Sequence, residues 1–162
     1  MKTPITSALI LAALIGFPAG SVFADPFSAK QEAAIQQEVT RAYAEFVLAC
    51  ERADLAGALR AYPVTPDFHH AVMDGAIVEF PRFREILADF LASCTAQKAF
   101  TKRQEVYVTG PDTALLVWNG ALEIIWKNRP VQRLEPYSVT FLFKRIGGEW
   151  KIVFQHESSS QL

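Results

Sequence analysis

Apolar residues recur at spacings of three and four between Ala29 and Ala53. Ile35, Val39, Ala42, Phe46, Val47 and Cys50 form one stripe, with Gln36, Gln37, Arg41, Glu45 and Arg52 mostly off it. That period predicts an amphipathic helix capped by Ser28. Asp54 can cap a short second helix, Leu55 to Ala61, which must end before Pro63 and Pro66. From Phe68 to Glu79 the apolar pieces shorten around Asp74-Gly75, a strong hairpin-turn signal. Pro81 opens a third predicted helix, with Phe83, Ile86, Leu87, Phe90, Leu91 and Cys94 on one face.

Beyond the third helix the period changes to two. Strands are predicted over Glu105 to Thr109, Thr113 to Trp126, Gln132 to Arg145 and Glu149 to Glu157, with a frayed tail after them. The turns are Gly110-Pro111-Asp112, Asn128 to Pro130 and Gly147-Gly148. Long strands joined by tight turns make an antiparallel meander, and helices followed by strands make an α+β domain with the helices on one sheet face. Alternation puts Tyr137, Val139, Phe141 and Phe143 on the inner side of one strand. On the last strand it groups Trp150, Ile152, Phe154, His156 and Ser158, so His156 and Ser158 are expected to point inward where the sheet ends. The back of the long strand carries Leu115, Val117, Ala121, Glu123 and Ile125, which is too apolar for a solvated face. A second copy of the chain is expected to cover it.

Composition narrows the function classes. The 162 residues are 51% hydrophobic and 20% charged, as in a single globular domain. Sixteen basic residues against seventeen acidic ones leave a net charge of −1, which removes the electrostatic case for a nucleic-acid partner. Residues 1–24 read as a secretory signal peptide: Lys2 at the start, an apolar run from Ile5 to Phe17, then Pro18, Gly20 and Val22-Phe23-Ala24 before the cut. Cleavage after Ala24 predicts a periplasmic or secreted protein with no stable membrane anchor, its single domain spanning 25–162. The apolar run is shorter than the ~20 residues of a membrane span. In an oxidising compartment Cys50 and Cys94 are a disulfide candidate, and equally two reduced, buried hydrophobes; the sequence leaves that choice open. No spacing of Cys, His or acidic residues points to a metal, and no cofactor-binding motif is present.

The chain resembles the SnoaL-like branch of the nuclear transport factor 2-like superfamily. The resemblance runs from about Ala34 to Ser158 and rests on the long first helix, Asp54, the Asp74-Gly75 hairpin and the Pro111-Asp112-Thr113-Ala114 turn. The ending Gly148-Glu149-Trp150-Lys151-Ile152-Val153-Phe154-Gln155-His156-Glu157-Ser158 carries it furthest. A Gly-x-Trp-x-Ile-x-x-x-His-x-Ser ending is also similar to that of the association domain of calcium/calmodulin-dependent protein kinase II. The resemblance implies a cone-shaped, cystatin-like fold in which a curved, mostly antiparallel sheet wraps three N-terminal helices and encloses a pocket. It also implies a dimer through the outer sheet face. The fold hosts isomerases, cyclases, dehydratases, hydrolases and assembly modules, so it does not choose a function. The Arg usual on the penultimate strand of the association domain is Phe141 here. No inward carboxylate and tyrosine pair matches the isomerases.

His156 is the candidate acid–base residue, since imidazole titrates near ~6.5; the other reading is a structural histidine that hydrogen-bonds a backbone carbonyl or Tyr43 and closes the open end of the core. Ser158, Tyr137, Trp118, Phe141, Tyr43 and His69 complete the expected pocket. Glu157 should face away from His156. Three readings follow: a binding protein for a small apolar or aromatic molecule, placed first; an isomerase, cyclase or dehydratase using His156; and a non-catalytic dimeric accessory module. An inward acid near His156 would favour the enzyme, and a pocket filled by Phe and Trp side chains the accessory module.

Overall fold

The structure, a computed structural model, describes residues 28–64, 68–72 and 75–159. The leader and its cut after Ala24, and the turn residue Asp74, lie outside the described residues. Helix α1 spans Ala29–Glu51. Its Ser28 cap forms a reciprocal capping box with Gln31, which satisfies two otherwise orphaned donors. Helix α2 (Leu55–Leu59) starts where the Asp54 carboxylate accepts from the Gly57 N–H at 2.9 Å. Strands β1 (His69–Ala71) and β2 (Ile77–Glu79) form the expected hairpin, and α3 (Phe80–Ser93) follows with proline in its first turn.

Four long strands complete the chain: β3 (Cys94–Gly110), β4 (Thr113–Trp126), β5 (Gln132–Ile146) and β6 (Glu149–Ser159). The sheet order is β2-β1-β6-β5-β4-β3, antiparallel except where β1 runs parallel to β6. This is the predicted α+β arrangement, a curved, mostly antiparallel sheet packed on helices. β3 is longer than predicted: it begins at Cys94, directly after α3, so Cys94 is a strand residue and not the end of a helical stripe.

The core is solid at one end and open at the other. Val39, Leu116, Phe143 and Ile152 are fully buried near the β5–β6 turn, where removal of each from water contributes about 1.5–3 kcal/mol. Trp150 and Arg145 of that hairpin reach Glu38 of α1 at 2.9 and 2.5 Å and fix the helix across the sheet. Further along the strands the inner rows diverge from the helices and leave a cavity.

Register in β6 changes the inward face. Phe143 pairs with Ile152 and Leu142 with Phe154, so Val153 is an extra residue, a β-bulge. One inserted residue shifts the alternation by one and exchanges the faces of everything beyond it. Trp150 and Ile152 face inward as expected. After the bulge Gln155 and Glu157 face inward, whereas His156 and Ser158 are exposed on the opposite side. The expected inward orientation of His156 and Ser158 is thereby corrected.

Candidate functional site

The cavity measures about 320 Å³. From α1 it is lined by Tyr43, Phe46, Val47, Cys50 and Glu51, one face of the last two turns. Helix α3 covers it with Phe83, Ile86, Leu87 and Phe90, at the helical spacing read from the sequence. The sheet supplies Trp118 and Leu122 from β4, Tyr137, Val139 and Phe141 from β5, and Gln155 and Glu157 from β6. Tyr62, which follows α2, closes one end.

Aromatic side chains hold one another in place around this space. Tyr43 packs on Phe141 with ring centres 5.4 Å apart, Trp118 meets Tyr137 edge-on at 6.1 Å, and Phe46 meets Tyr62 edge-on at 5.6 Å. Such edge-to-face contacts fix ring orientation beyond what burial alone would do. The Trp118 indole N–H donates to Thr101 Oγ1 at 2.8 Å, so that ring carries no unsatisfied donor.

Polar groups converge at one place in the apolar wall. Tyr137 Oη donates to Glu157 Oε2 at 2.7 Å, and Gln155 Nε2 donates to Glu157 Oε1. Gln155 in turn accepts from Tyr62 Oη at 2.5 Å. The result is a chain Tyr62–Gln155–Glu157–Tyr137 with the carboxyl as its terminal acceptor. Burial pushes the Glu157 carboxyl above the usual carboxylate range, against the donors Tyr137 and Gln155 and the charge of His156, which favour ionisation. Burial first, then the Glu157 charge, pushes the Tyr137 hydroxyl well above its ordinary value, so it stays a donor. Burial raises Tyr62 and Tyr43 as well. Elsewhere in the wall, Glu51 Oε1 accepts from the Ala99 N–H at 3.3 Å and Gln97 Nε2 donates to the Cys50 carbonyl at 3.3 Å.

Four of the expected pocket residues, Tyr137, Trp118, Phe141 and Tyr43, line the cavity. His156 and Ser158 do not, and the side chain of His69 lies outside what the structure describes. The two cysteines are free. Cys50 faces the cavity, its thiol pushed up to about 12 by burial, while Cys94 Sγ is turned to the Leu91 carbonyl 3.6 Å away. Among the described residues no group of three or more Cys, His, Asp or Glu side chains gathers that could hold a metal.

The sequence reading missed Glu157, Gln155 and Tyr62. Its assumption was an unbroken alternation through β6. Ile152-Val153-Phe154, three apolar residues in a row, was the available signal that the alternation slips there.

No protein-family model and no curated protein matches the sequence. Solved structures do match. A candidate dehydratase of the NTF2-like family from Streptomyces avermitilis superposes with a TM-score of 0.71 at 19% identity, over 81% of this chain and 99% of that one. A candidate scytalone dehydratase from Novosphingobium aromaticivorans gives 0.72 at 8% identity, over 83% and 89%. The association domain of calcium/calmodulin-dependent protein kinase II from C. elegans gives 0.63 at 14% identity, over 82% and 100%. Similarity at these identities concerns architecture, and it agrees with the N-terminal helices and the curved antiparallel sheet: the chain has the nuclear transport factor 2-like fold.

Proposed function

We propose that this is an exported protein of the SnoaL-like branch that binds a small, largely apolar or aromatic molecule in the cavity between α1, α3 and the sheet. The observation that carries the reading is the cavity itself: a wall of aromatic and aliphatic side chains with one converging polar group, the arrangement by which small-molecule sites combine affinity with orientation. In this reading Glu157 and Tyr137 orient the ligand. Export rests on the leader and the small residues ending at Ala24.

A second reading is favoured by a specific feature. Glu157 is a carboxyl with a raised pKa, hydrogen-bonded to a tyrosine inside an apolar cavity, and such groups serve as general acids or bases near neutral pH. Acid–base chemistry of the isomerase or dehydratase kind would then run through Glu157, not His156. Candidate dehydratases among the similar folds support this reading by analogy.

Native mass spectrometry of the protein purified from its host tests the first reading. A co-purifying small molecule is expected, retained by His156→Ala and lost from Leu87→Trp, which fills the cavity from α3. A protein that carries no such molecule, and binds none from a panel of apolar and aromatic compounds, would overturn it.

A further inference from the structure

The cavity wall carries two acidic side chains, Glu51 and Glu157, and among the described residues that line it there is no Lys or Arg. The charge is also oriented. Both neighbours of the Glu157 carboxyl are donors, one to each oxygen, and Gln155 is held in that orientation because its own oxygen accepts from Tyr62. A carboxylate offers about four lone-pair directions, and Tyr137 and Gln155 take two. The carboxyl therefore keeps acceptor capacity beyond these two bonds. Tyr43, Phe46, Trp118, Tyr137 and Phe141 line the same cavity, and aromatic faces attract a desolvated cation.

We propose that the ligand of this cavity is an organic ammonium ion with an apolar or aromatic body, its charged nitrogen donating to Glu157 and its body held among the rings. This rests on the cavity reading above and adds the ligand's charge. A compact amine suits a space of about 320 Å³. A carboxylate or phosphate ligand would meet two acidic groups with no Lys or Arg among the described lining residues to offset them. Among the described residues, the titratable and polar groups that line the cavity with Glu157 are Tyr43, Cys50 and Glu51 from α1, Tyr62 after α2, Gln97 from β3, Tyr137 from β5 and Gln155 from β6, the strand of Glu157; α3 presents only apolar side chains, and His156 lies on the outer face of β6. Among the described residues that line the cavity none is Lys or Arg, so an incoming ammonium would supply a counter-charge from within the cavity. Binding should strengthen as pH rises and Glu157 ionises, because the burial that raises its pKa is then offset by the ligand's charge.

Isothermal titration at mildly alkaline pH with phenethylammonium, phenethyl alcohol and hydrocinnamate compares a cation, a neutral analogue and an anion on one scaffold. The ammonium is expected to bind about tenfold or more tightly than the alcohol, the order expected of a charge-assisted contact in an enclosed site, and hydrocinnamate weakest. Glu157→Gln, nearly isosteric, should abolish the preference, so that the ammonium and the alcohol bind this variant with about equal affinity. Equal binding of ammonium and alcohol to the native protein would overturn the inference and leave the cavity reading standing. So would an ammonium preference that survives in Glu157→Gln. Binding of none of the three would overturn the cavity reading for such ligands, and this inference with it.

Discussion

Glu157 shows how one residue's environment sets its chemistry. Its carboxyl is acceptor to Tyr137 and Gln155, yet burial outweighs both donors and lifts its pKa above the ordinary value of 4.5. The consequence for stability has a definite sign. Below that value the group is neutral in folded and unfolded chains alike and no penalty arises. As pH rises, the unfolded chain ionises first, so stability falls until pH passes the folded value and then levels. Glu157→Gln abolishes this loss. Melting temperature measured against pH should therefore show the native protein losing stability relative to Glu157→Gln through the mildly acidic range. Parallel curves for the two proteins would contradict the buried carboxyl.

Individual elements differ in how much of them the sequence discloses. The helices disclose themselves: the stripe of α1, the Ser28 and Asp54 caps and the α3 face from Phe83 to Phe90 are local features, whereas the cavity that those faces wall is a tertiary fact that, apart from Tyr43, the helical pattern did not show. The first half of β3 was not. Thr101-Lys102-Arg103-Gln104 is polar because β3 is an edge strand with one flank in water, and its register shift between Thr101 and Arg103 breaks any alternation. The bulge at Val153 was hidden for a related reason. A strand's face is fixed by its partner's register, and that is a long-range fact. Gly120 marks another such point. A Cβ there would stand 2.0 Å from the Phe100 carbonyl oxygen and 2.9 Å from Trp118 Cζ2, so β3 and β4 approach too closely for any side chain. Backbone cannot yield as a flexible side chain can. Gly120→Ala is expected to cost at least ~1–3 kcal/mol, the range for overpacking, seen as a lower denaturant midpoint. An unchanged midpoint would mean that the strands do not approach this closely.

At the scale of the molecule, the outer sheet face decides whether one chain is the functional unit. Strand pairing sets Tyr107, Leu115, Leu142 and Phe154 side by side across β3, β4, β5 and β6, and the next row is Glu105, Val117, Thr140 and His156. Tyr107 is 51% exposed, while Leu115, Val117, Leu142 and Phe154 are half-buried. Ala121, expected on this face, is only 2% exposed within the single chain and adds nothing to it. A band of apolar side chains crossing four strands, bordered by the Arg103–Glu105 ion pair, is the form of a self-complementary surface: a two-fold axis through it would set each row against its copy. We therefore propose a homodimer built on this face, with the ligand cavity of each chain on the opposite side of its sheet. Because the two surfaces share strands but not side chains, assembly and binding should separate by mutation. Light scattering at micromolar concentration should give twice the monomer mass for the native protein. Val117→Glu should give the monomer mass, through a carboxylate placed opposite its own copy, while the affinity of the cavity stays unchanged. A monomeric native protein, or a dimer indifferent to Val117→Glu, would remove the outer face from the assembly.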